Sequence, residues 1–154
     1  MNLRPLLILL ACLYAAPVSA ADMAVVATGA KASEGCIDPL AKGDLKGFEG
    51  CLQKLAAAAP GAAEAKSTYG VGLYFQAWTL ANSLAASVDN DLFPDIKKRS
   101  AAKPERQMAM RLFDKFRPAQ KKLKIKDDDL AKTAGIDPAA LKPYFEYYDK
   151  LPKK

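Results

Sequence analysis

Between Lys97 and Lys126 the chain carries twelve basic side chains: Lys97, Lys98, Arg99, Lys103, Arg106, Arg111, Lys115, Arg117, Lys121, Lys122, Lys124 and Lys126. The same stretch holds two acids, Glu105 and Asp114. The whole chain has a formal net charge of +6, so the excess sits in this segment and the remainder is acidic on balance. A charge asymmetry of this kind draws an anionic partner: an acidic protein, an anionic envelope component or a lipid surface. Arg111, Lys115, Lys121, Lys122 and Lys124 are the candidate binding residues. The plainer alternative is a solvated face that also pairs with the acidic rest of the fold.

Catalytic chemistry has little to work with. The chain contains no histidine, which excludes Ser-His-Asp and Cys-His arrangements and removes the usual nitrogen ligand of zinc. There is no Cys-x-x-Cys-His run for covalent haem and no glycine-rich phosphate cradle. Carboxylate-pair chemistry survives in principle. The glutamates are Glu34, Glu49, Glu64, Glu105 and Glu146, and no spacing marks two of them as partners. Asp89-Asn90-Asp91 lacks the order and the distant glutamate of a calcium loop and reads as turn and cap chemistry. No catalytic residue, metal ligand or cofactor is assigned.

The cysteines point to an oxidising compartment. Residues 1–20 read as a signal peptide, with Arg4 in a short positive region, an apolar run from Leu6 to Ala16, and small residues through Ala20 where cleavage is expected. Leu9-Leu10-Ala11-Cys12 offers lipidation as a minor alternative. Cleavage removes Cys12 and leaves Cys36 and Cys51, an even pair in an exported chain, expected as a disulfide. Closing a loop of roughly 15 residues stabilises by roughly 3 kcal/mol in the chain-entropy model.

These residues must be positioned by helices. The run from Ser67 to Val88 carries no charge, and its apolar or small residues recur at helical spacing at Tyr69, Leu73, Ala77, Ala81, Leu84 and Val88. Such a helix, apolar on most sides, is a buried one. Gln76 and Asn82 fall on different faces of it and suit a protein core better than lipid. Residues 21–35 are small and weakly patterned and read as a flexible lead-in, with a short helix at Met23–Ala27 as the alternative. A short turn of helix is expected over Cys36–Lys42. Asp44 caps an amphipathic helix bearing Leu45, Phe48, Leu52 and Leu55, which stops before Pro60-Gly61. Pro94 opens a short helix through Ala101, and Pro104 a longer one that Pro118 should kink or split. Asp127 or Asp128 caps a short helix ending at Gly135. Asp137-Pro138 opens a last one through Leu151.

Asp129 to Leu141 (DLAKTAGIDPAAL) resembles the helix-turn-helix of lac-type repressors, with alanine in the first helix and glycine at the turn. The resemblance implies that Pro138, Ala139 and Lys142 would face a DNA groove. These residues offer almost no base-reading chemistry, so the segment is expected as a packed corner and no nucleic-acid partner is assigned. Aromatic residues gather on the central and last helices. Trp78, Tyr147 and Tyr148 among them are candidates for exposed interface anchors.

The expectation is therefore an all-α, single-domain bundle of about five to six helices around a central buried helix, over residues 36–152, with one disulfide. The expected function is that of an exported, periplasmic or secreted, non-catalytic binding protein. Inhibitor or immunity-type proteins have this size and this lack of catalytic groups. The alternatives are an envelope enzyme using a carboxylate pair, or a peripheral protein on an anionic membrane surface.

Overall fold

The structure, a computed structural model, describes residues 18–59 and 67–154. The bulk of the expected signal peptide, Cys12 and the Pro60-Gly61 stop lie outside the described residues. Seven α-helical segments lie within them: α1 (Ala20–Ser33), α2 (Ile37–Ala41), α3 (Leu45–Ala58), α4 (Thr68–Asp89), α5 (Pro104–Lys122), α6 (Asp127–Thr133) and α7 (Pro138–Lys150). The described residues contain no strand. The fold is all-α, as the sequence indicates, and α4 is its central element.

Ser67 caps α4 by accepting a hydrogen bond from the Gly70 N–H, and half of the helix is fully buried. α1 covers one side of it and α5 another. Asn90 ends α4 in the left-handed region (φ 55°), with the Asn90 and Asp91 N–H groups donating back to Ser87 and Ala86. That is the two-bond C-terminal motif usually made by glycine, which asparagine also tolerates. The acids of this turn are occupied: Asp89 pairs with Arg106, and Asp91 Oδ1 accepts from the Phe93 N–H. No helix of the described residues is long and apolar enough to cross a membrane.

The expectation of a flexible lead-in over 21–35 is corrected. Ala20–Ser33 is a helix with a reciprocal capping box between Ser19 and Asp22. Its buried residues are Val26, Gly29, Ala30 and Ser33, so it docks by small side chains rather than by an apolar stripe. Gly29 lies against the Tyr69 carbonyl and Gly72 against the Val26 carbonyl, and a Cβ at either position would overlap backbone. The glycine Cα–H groups take that space and face the carbonyl oxygens, a contact that recurs where helices approach closely.

The Cys36–Cys51 disulfide is formed, with a Cα–Cα distance of 5.7 Å. It ties the turn before α2 to α3, and Cys36 is completely buried. α3 starts at Asp44, whose carboxylate accepts from the Gly47 N–H, and buries Phe48, Leu52 and Ala56.

Three local expectations fail. Pro94–Ala101 is not a helix but an irregular segment ending in a single 3-10 turn, Arg99–Ala101. It is held from outside, by Tyr147 Oη donating to the Pro94 carbonyl and Arg99 donating to the Pro152 carbonyl. Pro118 does not split α5, which runs unbroken to Lys122. Its flanking residues Arg117 and Gln120 anchor the last turn through Asp127 and Asp149 and the Ile125 carbonyl. Lys126, not Asp127 or Asp128, is the N-cap of α6, and Asp127 is its first helical residue.

The corner between α6 and α7 is a packed one. Gly135 sits at φ 66°, and the Ile136 N–H donates to the Ala131 carbonyl. Leu130, Ala131 and Leu141 are buried beneath it, and Asp137 caps α7. Phe75 and Trp78 of α4, Phe113 and Phe116 of α5, and Phe145 and Tyr148 of α7 then form one aromatic cluster. Trp78 lies at its centre, within 5.3–5.6 Å of four ring centroids.

Replacing Gly72 by alanine should destabilise the fold by about 1–3 kcal/mol or more, because the added methyl meets backbone that cannot swing aside. Gly50→Ala, at a helical position where a Cβ meets nothing, should instead stabilise by up to about 1 kcal/mol. Urea unfolding of the two variants measures both, and equal effects would exclude close packing as the cause.

Candidate functional site

The basic segment divides by residue type. Its four arginines turn inward. Arg106 is fully buried and matched on every side: Nε donates to Asp89 at 2.9 Å, Nη1 to Asn82 Oδ1 at 2.9 Å and to Tyr148 Oη at 2.8 Å, and Nη2 to the Asp91 carbonyl at 3.2 Å. Tyr148 Oη donates in turn to Asn82 Oδ1 at 2.8 Å. Arg117 binds Asp127 at 2.6 Å and Asp149 at 3.0 Å, donates to Gln120, and lies 4.2 Å from the centre of the Phe145 ring. Arg111 forms a two-pronged pair with Glu49 of α3, both contacts at 2.9 Å. Arg99 pairs with Asp114.

The lysines mostly stay outside. Lys121, Lys122, Lys124 and Lys126 are all exposed around the end of α5. There Lys124 takes the left-handed position (φ 58°) while the Ile125 N–H donates to the Gln120 carbonyl. A shallow trough of about 450 Å³ beside this corner is lined by Arg117, Lys121, Asp149, Lys153 and Lys154 among others. Asp149 lies in it, 3.5 Å from Lys121 Nζ. Burial works against the Asp149 charge, but Arg117 and Lys121 outweigh it and hold the carboxyl below its ordinary range.

Of the five candidate binding residues, the structure brings Lys121, Lys122 and Lys124 to one exposed corner. Lys115 is half-buried with its ammonium 5.1 Å from the centre of the Tyr74 ring, and Arg111 is engaged by Glu49. Lys153 and Lys154 were missed, because only the fold carries the C-terminal end back to α5. Trp78 and Tyr148 are buried and so are not exposed anchors, whereas Tyr147 is half-exposed. Among the described residues no group of three or more His, Cys, Asp or Glu is placed to hold a metal ion.

Tyr147 and Tyr148 are both pushed up to about 12, by burial first, with Arg106 pulling partly the other way. Searches of protein-family models, curated proteins and solved structures find no match to this chain.

Two outcomes follow from the buried network. Arg106→Met takes the guanidinium donor from Asp89, Tyr148 and the Asp91 carbonyl, and should cost about 3–5 kcal/mol by urea unfolding. Both tyrosines stay protonated longer in the folded state than in the unfolded chain, so stability should be fully present below pH 10 and fall as the pH rises toward about 12. Unfolding midpoints measured across that window should drop less steeply in Tyr148→Phe.

Proposed function

We propose that this protein is an exported, non-catalytic binding protein that meets an acidic partner protein through the lysine corner at the end of α5. The observation that carries the proposal is the run of exposed Lys121, Lys122, Lys124 and Lys126 at the end of α5, with Lys121 sharing a trough with Lys153 and Lys154. Lysine ammonium groups on flexible stems suit a surface that meets opposite charge, raising the association rate more than the final affinity.

Export is supported by the leader-like N-terminal segment and by the Cys36–Cys51 disulfide, since disulfides persist in oxidising compartments. Cleavage after Ala20 takes the Ser19 cap with it, at a cost of about 1 kcal/mol to α1. The close contact of α1 with α4 does not depend on that cap.

An acidic protein fits the corner better than a lipid surface. Membrane-surface helices combine a cationic rim with an apolar face to insert. The exposed large apolar residues of the described chain are Val25, Ile37, Val88, Leu92 and Phe93, and none lies on the end of α5 or the loop after it.

The test uses wild-type protein and the variant carrying Lys121→Glu, Lys122→Glu and Lys124→Glu, with circular dichroism to show equal helicity. Immobilised wild type should retain an acidic envelope protein at low salt and release it as salt rises, while the variant retains at least about tenfold less. Equal retention by the variant would overturn the proposal. So would co-sedimentation of the wild type with phosphatidylglycerol vesicles together with no retained protein.

A further inference from the structure

We propose that the groove between α4 and α7 binds a small, neutral, largely apolar molecule through one hydrogen-bond acceptor, such as a ketone or amide oxygen. The groove has a volume of about 280 Å³ and is lined by Trp78, Asn82, Ile136, Leu141 and Tyr144 among others. That volume lies just below the range of about 300–1,000 Å³ typical of drug-sized ligands, so the occupant is of fragment size.

The acceptor is specified by Asn82. This side chain is only 8% exposed, and its amide cannot be turned over. Arg106 is a donor without acceptor capacity, so the atom facing Arg106 Nη1 must be the oxygen. Tyr148 donates to the same oxygen. The amide nitrogen is thereby left toward the groove, and among the described residues it makes no hydrogen bond. An N–H pair held in a fixed direction at the groove surface, with no protein acceptor among the described residues, is what an acceptor-bearing ligand matches in place of water.

Two hydroxyls of the lining are already committed to backbone carbonyls. Thr79 Oγ1 donates to the Gln76 carbonyl and Ser83 Oγ to the Thr79 carbonyl, so neither hydroxyl proton is free for the groove. No charged side chain lines it. The Arg106 charge lies behind Asn82 and is matched by Asp89, which removes any reason for an anion to be preferred. Half-buried Tyr144 and Ile136 supply apolar surface to the lining, Tyr144 being braced by Phe93 with ring centroids 5.0 Å apart, while Trp78 is almost wholly covered by other rings. These surfaces suit a flat apolar ligand body.

Acetophenone, its oxygen-free isostere ethylbenzene, and benzoate provide the test, by proton–nitrogen NMR of the full chain. Trp78 is the chain's single tryptophan, so its indole N–H is a unique reporter. Acetophenone should move the Asn82 side-chain N–H and Trp78 indole signals saturably, with a Kd about tenfold below that of ethylbenzene and below that of benzoate. Asn82→Asp keeps an oxygen for Arg106 and Tyr148 while deleting the donor, and should lose the preference for acetophenone with helicity unchanged. Ala140→Phe, at an exposed position in the lining, should occlude the groove and abolish all three responses.

Indifference of the Asn82 and Trp78 signals to acetophenone would overturn the proposal. So would equal affinities for acetophenone and ethylbenzene, or tighter binding of benzoate. The comparison of the three probes on the wild-type protein decides the matter even where a variant does not fold.

Discussion

A guanidinium taken out of water must have its N–H groups met, or the site loses several kcal/mol. Arg106 imposes that condition on the middle of this molecule. Its acceptors come from α4 (Asn82 and Asp89), from the turn after α4 (the Asp91 carbonyl) and from α7 (Tyr148). Three pieces of chain are thus fixed in direction by one side chain of α5. The same tyrosine stacks on Phe113 at 5.0 Å and meets Trp78 edge-on at 5.3 Å, so the polar network and the aromatic cluster share a residue and cannot shift independently. Arg117 repeats the device farther along α5, holding Asp127 of α6 and Asp149 of α7 while covering Phe145.

α4 is consequently docked in two different ways. Toward α1 it sets Gly72 against the Val26 backbone and the Tyr69 backbone against Gly29, where backbones touch directly. Toward α7 it uses Trp78, Phe75 and Asn82, which reach across to Phe145 and Tyr148 with little close approach of the two backbones. The first arrangement leaves no space. The second leaves space wherever the long side chains do not fill the separation, and the groove above Trp78 lies in that gap. The direction of the Asn82 amide within it follows from Arg106, so the groove chemistry depends on the buried charge behind it.

The helices with strong apolar periodicity and conventional caps were legible in the sequence. The uncharged run through Val88 indicated α4, though not its Ser67 cap, while Asp44 indicated α3 and Asp137-Pro138 indicated α7. The disulfide followed from an even pair of cysteines behind a leader-like segment. α1 was not legible because its buried face is Val26, Gly29, Ala30 and Ser33. Burial through small residues leaves no stripe of large apolar side chains to count, and it becomes visible only when the partner's glycine is known. Lys126 as the cap of α6 was missed for a related reason. Asp127 has cap chemistry, but its carboxylate is taken by Arg117 and Gln120 from a helix that precedes it. Of the candidate site, the lysines were legible as charge. The groove was not, because the free amide of Asn82 depends on Arg106, and nothing in the spacing of the two residues announces their contact.

The basic segment shows why a charge count along a sequence overstates the charge at a surface. Twelve basic residues suggest one continuous cationic face. In the fold, arginine and lysine separate according to their hydration and geometry. The guanidinium is planar, weakly hydrated and able to bind two oxygens at once, and all four arginines of the segment take internal carboxylates: Asp114, Asp89, Glu49, and Asp127 with Asp149. The strongly hydrated ammonium groups of Lys121, Lys122, Lys124 and Lys126 remain in water at the helix end. Much of the acidity elsewhere in the chain is thereby neutralised from within. What is left for a partner is a compact corner rather than a stripe, and it carries acids of its own in Asp128, Asp129 and Asp149. A surface of mixed sign selects a partner by the pattern of its charges, because a uniform anion would meet repulsion as well as attraction there.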